Sequence, residues 1–192
     1  MAKVLTFSQQ FPSYHLKAGQ PTYFVEKIWR SIGMGGRGTS ERIVELNQAK
    51  GVKEIQGIRD FMATIVYDHY KPKNHTIRAG HRFKTGDMAS LRIWSVVPYN
   101  SKQIIIAPDV KVKVFDFSID LLAPKIYLNG HCIFEQGKYV SEVLHEVAVN
   151  DGLSIDDLFG WFKFPKPFTG QIICWNENLN YDTISQPKTE GR

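Results

Sequence analysis

The stretch Lys73-Asn74-His75-Thr76-Ile77-Arg78, followed by Phe83-Lys84-Thr85-Gly86-Asp87, is the most informative part of this 192-residue chain. It places a lysine, a hydroxyl and an arginine at positions i, i+3 and i+5 ahead of a glycine turn. Crowded cationic groups and partial desolvation lower the pKa of a lysine. A neutral Lys73 can act as a general base, and the Thr76 hydroxyl can act as a nucleophile or a polarising donor. Taken alone, the same residues are more typical of an exposed basic loop.

The excess positive charge of the chain is concentrated around this stretch. The net charge is +5, from 24 Lys+Arg and 19 Asp+Glu. Residues 71–92 contain one acidic residue, Asp87, and the remaining chain is balanced. A local patch of this kind attracts phosphate more strongly than scattered charge does. The alternative is a solvated strand edge protected by lysines. The six basic residues of the patch are Lys71, Lys73, Arg78, Arg82, Lys84 and Arg92.

The rest of the chain predicts a mixture of helices and strands. Apolar residues at helical spacing predict a helix that begins at Thr22, and the spacing returns at 138–150. Asn129-Gly130 predicts a type I′ hairpin turn, and Ser154 with Asp157 predicts a capping box. Alternating short stretches predict strands at Leu5–Phe11, Ala89–Val96, Lys102–Ala107, Val110–Phe117 and Gln171–Trp175.

We therefore expect one α+β domain over residues 1–176, with a helical insertion at 20–69 after the first strand. Another helix is predicted from Ser40, and residues 177–192 are expected to form a loose polar tail. No apolar run approaches the ~18–20 residues of a membrane helix. Two cysteines in a domain of this size are expected to be reduced thiols, so we expect a cytoplasmic protein without a membrane partner.

Two apparent cofactor patterns do not hold. The glycine run at 33–38 formally matches a dinucleotide-binding fingerprint, but a helix rather than a strand precedes it, so a linker is the better interpretation. His145-Glu146 begins like a zinc-protease motif, yet Val149 occupies the position of the second histidine. The remaining candidate ligands, His131, Cys132 and Cys174, show no tight spacing. We expect neither a metal nor a cofactor.

Four short motifs, in order along the chain, resemble those of the ASCH domain, the activating-signal-cointegrator homology family. The first is the strand Leu5–Phe11. The second is the basic stretch, through Lys73, Thr76 and Arg78 and then 84–87. The third is the helix junction at 148–154 with the residues after it, and the fourth is the closing strand at 168–175. The resemblance touches residues 1–12 and most of 70–176.

The resemblance implies a PUA-like fold, a mixed β-barrel surrounded by helices, with a positively charged cleft. The family is linked to RNA metabolism. One bacterial branch is similar to an amidohydrolase that removes the acetyl group from N4-acetylcytidine with a lysine, a threonine and an acidic residue. Those roles fall here on Lys73, Thr76 and Asp151. This chain departs from the pattern at Lys71, where the family commonly has glycine, and at Asp151, where the enzyme-like branch has glutamate.

Two functional hypotheses follow. In the first, a cleft around Lys73, Thr76 and Arg78 binds RNA or a modified nucleoside, and Thr76 and an aromatic side chain contact the base. The other residues assigned to this binding surface are Lys71, His75, Arg82, Lys84, Arg92 and Trp94.

In the second hypothesis the chain is an amidohydrolase. Lys73 is the base, Thr76 the nucleophile and Asp151 the orienting or protonating group, while Arg78 stabilises developing negative charge. A structural alternative is that Asp151-Gly152 only ends a helix. Glu146 is an alternative carboxylate. Both hypotheses predict that Lys73, Thr76 and Arg78 share the largest pocket with the Asp151 turn.

Overall fold

Strands in two β-sheets make up most of the fold. The computed structural model describes residues 1–34, 70–120, 124–162 and 167–182. The described helices are α1 (Phe24–Ser31), α2 (Glu142–Asn150) and α3 (Ile155–Trp161). The described strands are β1 (Lys3–Phe7), β2 (His75–Ala79), β3 (Met88–Trp94), β4 (Gln103–Ile105), β5 (Val110–Lys111), β6 (Lys113–Asp120), β7 (Lys125–Leu128), β8 (His131–Glu135), β9 (Tyr139–Val140) and β10 (Phe168–Cys174). The predicted α+β class is confirmed.

The first sheet is built on β3. Strand β1 runs parallel to β3 along one edge, with Leu5 opposite Leu91. Strands β4 and β5 pair antiparallel with opposite ends of β3. Leu5, Leu91 and Ile93 are buried. Side chains alternate between the faces of a strand, so these apolar positions form a core face.

The second sheet is antiparallel throughout, in the order β2-β10-β6-β7-β8-β9. Its β7–β8 connection confirms the predicted hairpin, because Asn129 and Gly130 both have positive φ angles, of 48° and 79°. Strand β10 lies between β2 and β6 and is buried from Gly170 to Cys174. The candidate stretch 73–78 therefore enters the sheet at an edge strand, next to its most buried strand.

Helices α2 and α3 each begin at a serine whose side chain caps the first turn. The Ser154 hydroxyl accepts a hydrogen bond from the Asp157 backbone N–H, which confirms the predicted cap of α3. Helix α2 begins at Glu142 rather than at 138, because residues 139–140 pair with β8 as strand β9. Within the described residues, none of the helices has both the length and the hydropathy that a membrane span requires.

The two sheets do not close into a barrel within the described residues. Between β1 and β2 the connection runs through side chains: Arg78 donates to the Thr6 carbonyl oxygen, and Arg82 donates to that of Val4. A backbone ladder between these strands is absent from the described pairings. The outer edge of β1 is thus satisfied by two guanidinium groups instead of by a neighbouring strand.

Two further predictions concern the ends of the domain. Helix α1 lies in the predicted insertion, whereas the helix predicted from Ser40 lies outside the described residues. The segment after Asn176 is packed rather than loose as far as Tyr181, whose side chain is buried against Phe115. The sequence of this segment is polar, but one aromatic residue anchors it to the core.

Candidate functional site

A buried ion pair joins β2 to the end of α2. Lys73 is 0% exposed, and its Nζ lies 2.8 Å from Oδ1 of Asp151. Nζ also donates to the Asp151 carbonyl oxygen. The backbone fixes this arrangement, because the Lys73 N–H donates to Lys27 O at 3.0 Å and the Asn74 N–H donates to Asn150 O at 2.8 Å. The lysine and the acid singled out from the sequence therefore meet, although 78 residues separate them.

Gly152 allows this close approach. It has a φ of +77°, and a Cβ at this position would lie 3.3 Å from the Cβ of Lys73. The glycine thus ends α2 with a turn and also leaves room for the lysine stem against its backbone. The structural and the functional interpretations of Asp151-Gly152 are compatible, because one turn serves both.

Burial and the partner charge act in opposite directions on each group of the pair. Desolvation lowers the pKa of Lys73 to about 8, although Asp151 raises it in part. Burial also raises the pKa of Asp151, but the charge of Lys73 and the contact with His75 together outweigh this effect, so that pKa ends below its usual value. At neutral pH the pair is an ammonium and a carboxylate, so Lys73 is not the free base that the sequence suggested.

His75 extends the pair into a buried polar network. It is 0% exposed, and its Nε2 lies 3.2 Å from the hydroxyl of Tyr181, which accepts a hydrogen bond from Asn150. Its Nδ1 has no hydrogen-bond partner among the described residues and faces Oδ1 of Asp151 at 3.6 Å. Burial lowers the pKa of His75, so the ring is neutral at pH 7. The predicted contact between His75 and nucleic acid does not fit this enclosed position.

Thr76 is separate from the ion pair. It follows His75 on β2, so its side chain points to the opposite face of the strand. Within the described part of the chain, its hydroxyl makes no hydrogen bond to Lys73 or to Asp151. The structure therefore brings together two of the three predicted catalytic residues, Lys73 and Asp151, and leaves the third out.

A cleft of about 430 Å³ opens beside this core, between the end of β1 and the β3–β4 loop. None of the three predicted catalytic residues lines it. Arg78 does, and its guanidinium lies 5.5 Å from the centre of the Phe7 ring. Of the four residues predicted to share one pocket, Arg78 lines this cleft, whereas Lys73, Thr76 and Asp151 do not line it. All three of these residues are buried, and the Lys73 ammonium lies against the Phe24 ring of α1.

Two aromatic side chains form the outer wall of the cleft. Trp94 and Tyr99 both line it, with ring centres 5.5 Å apart and planes tilted by 48°. Gln9 crosses from the β1 side and donates to the Trp94 carbonyl oxygen at 2.7 Å. Trp94 was singled out from the sequence, but Tyr99 was not. The only available signal for Tyr99 was an aromatic residue in a polar turn directly after a strand.

A second cleft, of about 250 Å³, continues the first along β1. Thr6, Arg78 and Tyr99 line both clefts. Arg82 lines the second, and its guanidinium lies 5.2 Å from the centre of the Phe83 ring. Together the two clefts form a strip along the outer edge of β1, with two arginines on its floor and Tyr99 over its middle. We call this strip the β1 groove.

The other predicted basic residues occupy different positions. Lys71 and Lys84 are exposed. Arg92 bonds to the Ser90 hydroxyl and to the Gln103 side chain, and it is not among the residues that line the groove. Lys73 is neutralised by its buried partner. The positive charge available at the surface is therefore smaller than the sequence count of residues 71–92 suggested.

The described residues contain no group of three or more His, Cys, Asp or Glu side chains placed to hold a metal ion. The polar side chains that line the groove are instead those of arginine, threonine, serine, glutamine, tyrosine and tryptophan. This set suits a ligand with anionic oxygens and a planar polar edge.

Comparisons with known proteins found no matching family model, no matching curated protein and no matching solved structure.

Proposed function

We propose that the chain is a binding domain of the ASCH family that holds RNA or a nucleoside in the β1 groove. The observation that carries the proposal is that Arg78 and Arg82 line one continuous groove together with the aromatic rings of Trp94 and Tyr99. Guanidinium groups bind phosphate, and aromatic rings stack on bases, so this combination is typical of sites for single-stranded nucleic acid.

The proposal includes the PUA-like fold implied by the sequence resemblance. In it, the groove is the open side of a pseudo-barrel, at the gap between β1 and β2. The support is that the two sheets approach each other at this gap and are linked there by Arg78 and Arg82. A phosphate oxygen of the ligand could accept a hydrogen bond from either guanidinium group in place of the backbone carbonyl oxygen. Neither the phosphate nor the arginine would then be left without a partner.

The size of the groove is consistent with this ligand. Its larger part, of about 430 Å³, falls in the range of ~300–1,000 Å³ that is usual for small-molecule pockets. Arg82 lies in the adjoining part, and Lys84, two residues later, is exposed to solvent. A base in the larger part would place its phosphates towards these two cations.

Binding to single-stranded RNA should therefore weaken as salt is added. For a single strand, log affinity falls against log salt by ~0.7 per phosphate contact. Replacing Arg82 and Lys84 with glutamine should lower this slope by ~1.4 if each contacts one phosphate. A matched control removes two exposed lysines elsewhere, Lys111→Gln with Lys138→Gln. Equal slopes for the two double variants would remove the groove from the binding surface.

The amidohydrolase remains a second proposal because Lys73 and Asp151 form a pair at 2.8 Å. In that reaction the neutral form of Lys73 would take the proton of the Thr76 hydroxyl as its oxygen attacks the acyl carbonyl, and the nucleoside amine would leave with that proton. Water would then hydrolyse the acyl ester on Thr76 and release acetate. Burial of the pair and its separation from Thr76 weigh against it. The test is acetate release from N4-acetylcytidine by wild type, Thr76→Ser and Thr76→Val. Wild-type release no faster than the spontaneous reaction would end this proposal.

A further inference from the structure

The β3–β4 loop holds Tyr99 in an unusual state. Tyr99 is 85% exposed and has a φ of +64°. A bulky residue rarely adopts a positive φ, and such strained positions cluster at ligand clamps and active sites. Exposure of the ring also forgoes the free energy that burial of an aromatic side chain would supply. The conformation of Tyr99 is therefore costly and is not explained by core packing.

The loop itself is well ordered by hydrogen bonds. The Ser95 N–H donates to Lys102 O at 2.9 Å, and the Ser101 hydroxyl donates to Val97 O at 2.8 Å. The Val96 N–H donates back to the same hydroxyl at 3.1 Å. These contacts hold the tip in place from both sides. Tyr99 is thus presented on a fixed support, which lowers the entropy cost of a contact with a ligand.

The position of Tyr99 within the groove points to the ligand. It lines both parts of the groove, so its ring stands between the larger cleft and the one that contains Arg82. The tilt of 48° to Trp94 means that the two rings do not stack on each other. A planar partner is accessible to the exposed ring, and the guanidinium groups of Arg78 and Arg82 line the same groove and can bind its phosphates.

We propose that Tyr99 is a stacking platform that selects unpaired nucleotides over base-paired ones. The inference rests on the proposed function, and it adds the class of nucleic acid that the groove accepts. In a duplex the faces of the bases are covered by their neighbours, so only an unpaired base can offer a face to Tyr99. Val96 and Val97 are also exposed beside it, which would suit a membrane or protein surface. The flanking arginines favour nucleic acid.

The test compares Tyr99→Ala, Tyr99→Phe and wild type by fluorescence anisotropy with a short single-stranded RNA and with its duplex. Loss of one stacked base should weaken single-strand binding by about 5- to 150-fold in Tyr99→Ala, whereas Tyr99→Phe should bind like wild type. Duplex affinity should be unchanged in both variants. Val97→Ala, in the same loop, is the matched control and should also bind like wild type.

The salt dependence separates this inference from the proposed function. Tyr99→Ala should keep the wild-type salt slope, because the arginines and their phosphate contacts remain. Tyr99→Ala could bind single strands as tightly as wild type while the Arg82 and Lys84 double variant shows a smaller salt slope. That result would overturn the stacking inference but would support the proposed binding function. If wild type binds neither single strand nor duplex, both fail. Preferential binding of wild type to phospholipid vesicles, lost in Tyr99→Ala, would assign the loop to a membrane surface instead.

Discussion

Replacing Lys73 with alanine leaves a carboxylate buried without its counter-ion. The side chains of Lys73 and Asp151 are 1% and 8% exposed, so water cannot take the place of the lost ammonium. Removal of one partner from a buried ion pair costs ~3–5 kcal/mol. The change also removes a cation–π contact, since Nζ lies 4.2 Å from the centre of the Phe24 ring. We expect Lys73→Ala to lower the free energy of unfolding by ~3–5 kcal/mol.

The assay is reversible urea unfolding of Lys73→Ala, and a double-mutant cycle isolates the pair. Lys73→Met combined with Asp151→Asn removes both charges, so the double variant should be more stable than the sum of the single changes predicts by ~0.5–3 kcal/mol. Lys84→Ala is the control, because Lys84 is exposed, and it should fall within ~0.5 kcal/mol of wild type. A loss below ~1 kcal/mol in Lys73→Ala would refute the burial argument, and would favour the exposed basic loop that the sequence left as an alternative.

Two further predictions test the same core. The pKa of Lys73 is about 8 in the folded protein and 10.5 for a free side chain. Between these pH values the unfolded state therefore binds more protons than the folded state does. The free energy of unfolding should rise with pH over this range, by up to ~3 kcal/mol from this group. The difference in stability between wild type and Lys73→Met should therefore change between pH 7 and 10, and a constant difference would contradict the shift. In the second prediction, a Cβ at Gly170 would overlap the Arg78 carbonyl group. Gly170→Ala should therefore lower the free energy of unfolding in urea by at least ~1–3 kcal/mol. Thr169→Ala, at an exposed neighbour, is the control: an equal loss there would show that any substitution in this strand destabilises the fold, without the overlap.

Local features of the fold could be predicted because their causes are local. The Asn129-Gly130 turn and the Ser154 cap each depend on a few neighbouring residues, and both are present. Closure of the barrel could not be predicted from local sequence, because it depends on whether two edge strands that are distant in the chain pair with each other. Here Arg78 and Arg82 occupy the carbonyls of β1, a long-range contact that no local pattern encodes.

The candidate site was only partly predictable for the same reason. Lys73 and Asp151 could be named from short motifs, but their burial arises because the residues just before β2 bond to both α1 and the end of α2. His75 reads as a surface histidine in a basic stretch, whereas Tyr181, over a hundred residues later, encloses it. Tyr99 was missed because its significance lies in a positive φ, which belongs to the folded loop and not to the residue type.

Photocrosslinking tests the central claim, that the β1 groove binds unpaired nucleotides, most directly. A single-stranded RNA that carries 4-thiouridine would be irradiated with the protein, and the linked residues mapped by mass spectrometry. We predict crosslinks at Trp94, Tyr99 and the adjoining β1 residues, lost when unlabelled single strand is added in excess. Crosslinks confined to the cleft lined by Lys111, Lys113 and Glu177, on another part of the surface, would contradict the account.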